Sequence, residues 1–128
     1  MGVKRMNYCI NGEWVPSKTD KYMPITDSST GEVIAEVPSC TKEEVLAAIA
    51  SAQEAFPAWS ALSISKRTQY MFTWRDVLIK HKEELSQLCA KELGKTIGEA
   101  RGDVQKAIEP TELACAIPDL LQGETSMN

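Results

Sequence analysis

The residue types and spacings in this 128-residue chain that could do chemistry gather in its second half. Gly94-Lys95-Thr96 has the form of the end of a phosphate-binding loop, where successive backbone N–H groups cradle phosphates and the lysine reaches them. Such a loop needs a glycine five residues before Gly94 and a buried strand ahead of it. Cys89 holds that position within a helical pattern, so the run is better read as a corner between two helices. Gly98 and Gly102 follow Gly94 at intervals of four and leave a groove without side chains along one face of a helix. Lys106 continues that face, nearly opposite Ile97 and Cys115, and stands at the end of a smooth strip. A solvated lysine on an exposed face is the commoner arrangement, but the strip is a place where something can pack closely.

Other reactive residue types are poorly placed for catalysis. His81, the single histidine, lies in an apolar stripe, and no serine, cysteine or carboxylate nearby completes a triad or a metal set. Glu43/Glu44 and Glu83/Glu84 are adjacent pairs rather than carboxylates facing across a cleft, so they serve as helix-start charges. Cys9, Cys40, Cys89 and Cys115 contain no Cys-x-x-Cys pair and have no neighbouring base or cationic helix end that would favour thiolate. They are expected to be reduced and mostly in the core. No residue is assigned to catalysis, and none to cofactor binding.

The elements that must position these residues begin with strands. Tyr8-Cys9-Ile10 and Glu13-Trp14-Val15 flank Asn11-Gly12, a pair suited to the positive φ angles of a type I′ hairpin. Cys9 and Trp14 then share one side, Tyr8 and Val15 the other, and either side suits burial. A second pair is expected over 22–26 and 32–37, joined by Asp27-Ser28-Ser29-Thr30-Gly31, with Pro24 on an edge and Pro38 closing the β region.

Helical spacing takes over at Thr41, where Thr41 and Glu44 form a capping box ahead of a helix over 41–56 that Pro57 ends or restarts. A second helix from about Ser65 carries Met71, Trp74, Leu78, His81, Leu85 and Leu88, with a break or recapping at Lys82-Glu83-Glu84. Gly94 caps it in the left-handed conformation, and Thr96 with Glu99 opens a third helix over 96–121 that Pro110 should bend. Trp59 and Trp74 are expected as core aromatics. The fold class is therefore α+β, with β-hairpins over 8–37 followed by three long helices over 41–121 and a polar tail from Gln122.

Composition excludes several partners. With 43% hydrophobic and 25% charged residues the chain is an ordinary globular one, and its apolar runs are too short to span a bilayer. A net charge of −4 without a Lys/Arg cluster argues against nucleic acid. Lys4 and Arg5 have no apolar core behind them, so the start is not a secretory signal and a cytoplasmic location is expected. Met1-Gly2 opens a myristoylation pattern, but Met6 stands where Ser or Thr is required.

Several segments together resemble the start of the aldehyde dehydrogenase superfamily. They are Ile10-Asn11-Gly12-Glu13-Trp14, Ser29-Thr30-Gly31-Glu32-Val33-Ile34-Ala35-Glu36-Val37, Ala55-Phe56-Pro57-Ala58-Trp59, Arg67 and Glu92-Leu93-Gly94-Lys95. Gly102-Asp103-Val104 and the run from Ala114 to Glu124 most resemble methylmalonate-semialdehyde dehydrogenases.

The resemblance implies that residues 1–128 are the N-terminal part of a cofactor-binding domain in an α/β parent with a Rossmann-like sheet. It implies oxidation of a malonate- or methylmalonate-type semialdehyde with NAD or NADP, possible use of coenzyme A, and attack by a cysteine that forms a thioester. That cysteine, the glutamate that assists release and the nucleotide site belong to segments not contained here, so the chain alone is expected to be inactive and to bind no cofactor. The arginine that holds the substrate carboxylate in that subfamily corresponds to Lys106, which keeps the charge but not the planar fork. Thr26 and Glu92 match segments that hold a monovalent cation in some members. Apolar stripes without their usual cover would favour a homodimer or a helix-swapped oligomer. A rival reading is a non-enzymatic helical assembly module.

Overall fold

A computed structural model describes residues 3–124, so Met1-Gly2 and the last four residues of the tail lie outside the description. The chain forms two compact units. One comprises the chain up to Trp59 together with Lys91–Gly94, and the other comprises Ser60–Ala90 and the chain from Lys95.

The first unit contains five strands and a helix. Strands β1 (Lys4–Arg5), β2 (Tyr8–Ile10), β3 (Glu13–Val15), β4 (Tyr22–Thr26) and β5 (Val33–Pro38) form two sheets. β2 and β3 pair with Tyr8 opposite Val15, Cys9 opposite Trp14 and Ile10 opposite Glu13, as the Asn-Gly turn dictates. Asn11 and Gly12 both have positive φ, 51° and 77°, which a type I′ turn requires. The more covered side carries Tyr8, Ile10 and Val15, while Trp14 is 70% exposed.

The other sheet has the order β1-β5-β4. Pro24 sits on the edge strand β4, where its missing N–H costs no ladder bond. The link from β4 to β5 is an Asx turn in which Ser29 N–H donates to Asp27 Oδ1 at 2.9 Å, and β5 starts at Val33, one residue later than expected. β1 runs parallel to β5 and was not expected, because Lys-Arg shows no apolar alternation. Arg5 Nε donates to Glu36 at 3.0 Å and the guanidinium lies 4.5 Å from the Tyr22 ring centroid.

Helix α1 (Lys42–Ser60) continues through Pro57, because a proline inside a helix removes one N–H bond without always ending it. Its start is anchored by Glu44, which is 8% exposed. The Glu44 carboxylate accepts from Ser17 Oγ at 2.7 Å, Lys18 N–H at 2.7 Å and Thr41 N–H at 2.8 Å, and Glu44 N–H donates to Thr41 Oγ1 at 3.3 Å. The capping box is thus extended into a tie between the helix and the loop after β3. The Lys18 amide, then the Ser17 hydroxyl, hold the Glu44 pKa below its usual 4.5.

The second unit is helical, with α2 (Ile64–Lys80), α3 (Lys82–Leu93, whose last residues belong to the first unit), α4 (Ile97–Cys115) and α5 (Ile117–Leu120). In place of three long helices there are four and a short turn. The division between α2 and α3 falls at His81, which caps α2, is exposed and places Nδ1 2.8 Å from Glu84 Oε2. It is therefore a helix-end residue rather than part of a core stripe. α4 passes through Pro110 and ends at Cys115, and the helix expected to continue to 121 is instead interrupted at Ala116, ahead of Pro118.

α2 packs on α4 and α5, and the buried line of α4 is Ala100, Val104, Ile108 and Thr111. On α2 the covered line runs through Arg67, Thr68, Met71, Arg75 and Leu78. Trp74 is 52% exposed, Trp59 41% and Leu88 50%, which overturns the core assignment of the two tryptophans. The hydrophobic pattern placed the stripe one step around the helix because small hydroxyls, not large rings, permit close approach here. Thr68, Ser86 and Thr111 are buried with each hydroxyl donating four residues back, to Ile64, Lys82 and Ala107 carbonyls at 2.8, 2.7 and 3.0 Å. Cys9 is exposed and the other three cysteines are half-buried, so none is a core thiol.

Glu44→Gln should lower stability at pH 7, and the gap to the parent chain should close as pH falls through the depressed Glu44 pKa, as read by urea unfolding at several pH values. The sign follows from the lowered folded-state pKa, whose stabilisation exists above the unfolded value and is lost on acidification. Gly94 has φ +66° and an added Cβ would lie 3.3 Å from Ser28 Cβ and Ser29 Oγ. Gly94→Ala should therefore cost about 1–2 kcal/mol in the same titration.

Candidate functional site

The glycine strip belongs to α4. Thr96 caps the helix, its hydroxyl oxygen accepting from Glu99 N–H at 3.3 Å while Glu99 Oε2 accepts from Thr96 N–H at 3.1 Å. The Thr96 hydroxyl, then its amide, lower the Glu99 pKa, so the pair is locked near neutral pH. Gly98, Gly102 and Lys106 are all exposed. A Cβ on Gly102 would meet nothing within 4 Å, and one on Gly98 only Thr96 Oγ1 at 4.0 Å. The strip expected from spacing is therefore an open, shallow face.

Cations around this face are spoken for, with one exception. Lys95 Nζ pairs with Asp103, and Arg101 reaches Glu83 through two bonds of 2.9 and 2.8 Å. Lys106 makes no hydrogen bond or ion pair among the described residues. Asp103 is held below its usual carboxyl pKa first by the Lys95 hydrogen bond and to a smaller degree by the charge of Lys106. A free ammonium at the end of a side-chain-free strip can neutralise an anionic group on a ligand lying along the strip.

Thr26 and Glu92 both belong to the first unit. Ser28 Oγ donates to the Glu92 carbonyl, so the last turn of α3 docks on the turn that follows Thr26. Thr26 and Glu92 are exposed, and among the described residues no group of three or more His, Cys, Asp or Glu side chains could hold a metal ion. Oxygen ligands for a monovalent cation would have to come largely from carbonyls and hydroxyls. No phosphate cradle forms at Gly94-Lys95-Thr96, where Gly94 ends a helix and Lys95 N–H donates to the Ala90 carbonyl at 3.2 Å. Nor does a strand–glycine loop–helix unit occur among the described residues, whose single parallel pairing is β1 with β5.

The face that sequence spacing assigns to Gly98, Gly102 and Lys106 is exposed on α4. Sequence reasoning treated Glu44 as an ordinary helix-start charge and missed its bonds to Ser17 and Lys18, because those partners lie across a loop with no periodic signal.

The sequence pattern of the aldehyde dehydrogenase family matches residues 14–128. The chain is 42% identical over 96% of its length to a malonate-semialdehyde dehydrogenase of Listeria monocytogenes serotype 4a and 40% identical to one of Bacillus subtilis strain 168. It spans about 25% of the length of these curated relatives. Among solved structures, a methylmalonate-semialdehyde dehydrogenase from Oceanimonas doudoroffii superposes with a TM-score of 0.85 at 34% identity, covering 100% of this chain and 26% of the other. A Sinorhizobium meliloti protein described as the same enzyme, solved with NAD, superposes with a TM-score of 0.89 at 28% identity, over 98% of this chain and 26% of the other. The chain belongs to the aldehyde dehydrogenase family.

Proposed function

We propose that this chain is the N-terminal quarter of an NAD(P)-dependent dehydrogenase that oxidises a malonate- or methylmalonate-type semialdehyde. The observation that carries this reading is the 42% identity to a malonate-semialdehyde dehydrogenase over nearly the whole chain. The reading gives the chain a scaffolding and substrate-side role. In this reading the nucleophile and the nucleotide site belong to the other three quarters of such an enzyme. NAD or NADP held there would supply the hydride acceptor, and coenzyme A is proposed as the acyl acceptor.

Within this reading Lys106 faces the carboxylate of the substrate across the glycine strip. The supporting observations are its exposure, its lack of a partner among the described residues and the commitment of Lys95 and Arg101 elsewhere. A lysine offers a point charge rather than a two-pronged bond, so the site tolerates more variation in carboxylate geometry than an arginine site would. The segments bearing Thr26 and Glu92 are proposed to border a monovalent cation. The active form is proposed to be a cytoplasmic homo-oligomer. No helix among the described residues is long and apolar enough to cross a membrane.

The test joins residues 1–128 to the remaining three quarters of the Bacillus subtilis relative and follows NAD reduction. The 128-residue chain alone should be silent and the fusion active on malonate semialdehyde. A fusion that folds but leaves malonate semialdehyde untouched would contradict the substrate assignment. In the active fusion, Lys106→Ala should lower kcat/KM for malonate semialdehyde by about 10- to 100-fold, the loss expected for one charge-assisted bond. An uncharged aldehyde such as propanal should be affected far less, and Lys106→Arg should retain activity. Equal losses on both aldehydes would make Lys106 structural.

A further inference from the structure

An asparagine side chain holds an electrophilic carbonyl carbon within reach of the backbone nitrogen of the next residue, and attack by that nitrogen closes a five-membered ring. The side chain of the following residue is the chief obstacle, and glycine has none. Asn7 precedes Tyr8, whereas Asn11 precedes Gly12 at the turn of the first hairpin. The two partners of the reaction are therefore bonded neighbours, and what remains is whether the fold frees or restrains them.

Most restraints are absent. Asn11 and Gly12 are both exposed, and a Cβ built on Gly12 would meet nothing within 4 Å, so the space around its nitrogen is open. Among the described residues neither the Asn11 side chain nor the Gly12 N–H makes a hydrogen bond. One restraint is present. In a type I′ turn ψ at the first central residue is about +30°, which turns the Gly12 nitrogen away from the Asn11 side chain. Ring closure must wait for that peptide to rotate, and so for the turn to open. The hairpin has three residues in each strand and no third strand beside it, and two-stranded ribbons of this size are marginal in water. Openings of such a segment need no global unfolding.

We propose that Asn11 is a self-modification site of the folded chain, deamidated by the Gly12 nitrogen during openings of the β2–β3 hairpin. An N–C bond forms to the Asn11 side-chain carbonyl carbon, and the bond from that carbon to the amide nitrogen breaks. Ammonia leaves with the proton given up by Gly12, and water opens the cyclic imide at either carbonyl to leave aspartate or isoaspartate. Isoaspartate adds a backbone atom to a two-residue loop, so the pairing of Cys9 opposite Trp14 loses its register. Either product adds a carboxylate to a cavity of about 610 Å³ that Asn11 lines together with Glu13 and Glu54. Hairpin and α1 then carry like charges across that cavity.

The 128-residue chain and a synthetic peptide of residues 5–17 are kept in the same warm, mildly alkaline buffer. Digestion and mass spectrometry follow Asn11 and Asn7, an isoaspartate-specific methyltransferase counts the isoaspartate, and helical circular dichroism of the same samples reports the fold. The expected result is conversion at Asn11 in the helical chain at no less than about one tenth of the peptide rate, the open fraction of a marginal hairpin, with Asn7 unchanged. Asn11 intact in the chain after the peptide has converted overturns the proposal, as does conversion that begins only when urea removes the helical signal. Equal conversion at Asn7 and Asn11 also overturns it, since the Gly12 nitrogen would then have no special part.

Discussion

Little apolar surface is removed from water in this chain, and most features of the structure follow from that constraint. Ala100, Val104 and Ile108 are the only buried hydrophobic side chains among the described residues. Val45, Ile49 and Phe56 line one side of α1 and are 47%, 49% and 64% exposed. On α2 the exposed set includes Tyr70, Trp74 and Val77. Contiguous apolar faces of this kind commonly mark surfaces that other polypeptide covers. The curated relatives are about four times as long.

With so small an interior, polar contacts carry an unusual share of the local order. Glu44 fastens the start of α1 to the loop after β3, and the Thr96–Glu99 box starts α4 at the corner set by Gly94. Thr68, Ser86 and Thr111 are buried in place of larger apolar residues and satisfy their hydroxyls within their own helices. Such bonds define where helices begin and how closely they approach, but they contribute modestly to net stability because water competes for the same groups in the unfolded chain. Order and stability are therefore partly separate in this chain.

Much of the local structure was legible in the sequence where one residue type dictates one conformation. Asn11-Gly12 specified the turn and register of the first hairpin, Thr41/Glu44 and Thr96/Glu99 specified two helix starts, and Gly94 specified a left-handed helix end. Features that depend on a partner outside the local window were not legible. The pairing of Lys4-Arg5 with β5 has no periodic signature, and the exposure of Trp59 and Trp74 follows from tertiary packing rather than from helical spacing. Pro57 was read as ending or restarting its helix, yet α1 runs through it, while α4 continues through Pro110, where a bend was expected. For the site, the Gly98–Gly102–Lys106 strip came directly from helical spacing, whereas its meaning came from the resemblance.

Among the described residues the chain presents an exposed Gly98–Gly102–Lys106 face on α4 and apolar faces on α1 and α2. The account stands on those apolar faces being docking surfaces for more polypeptide. Sedimentation velocity on the 128-residue chain across a wide range of concentration, with an apolar dye added in parallel, tests this most directly. The account predicts dye binding and reversible self-association, both suppressed by Ile49→Glu or Trp74→Glu. A monomer at every concentration that binds no dye would contradict it.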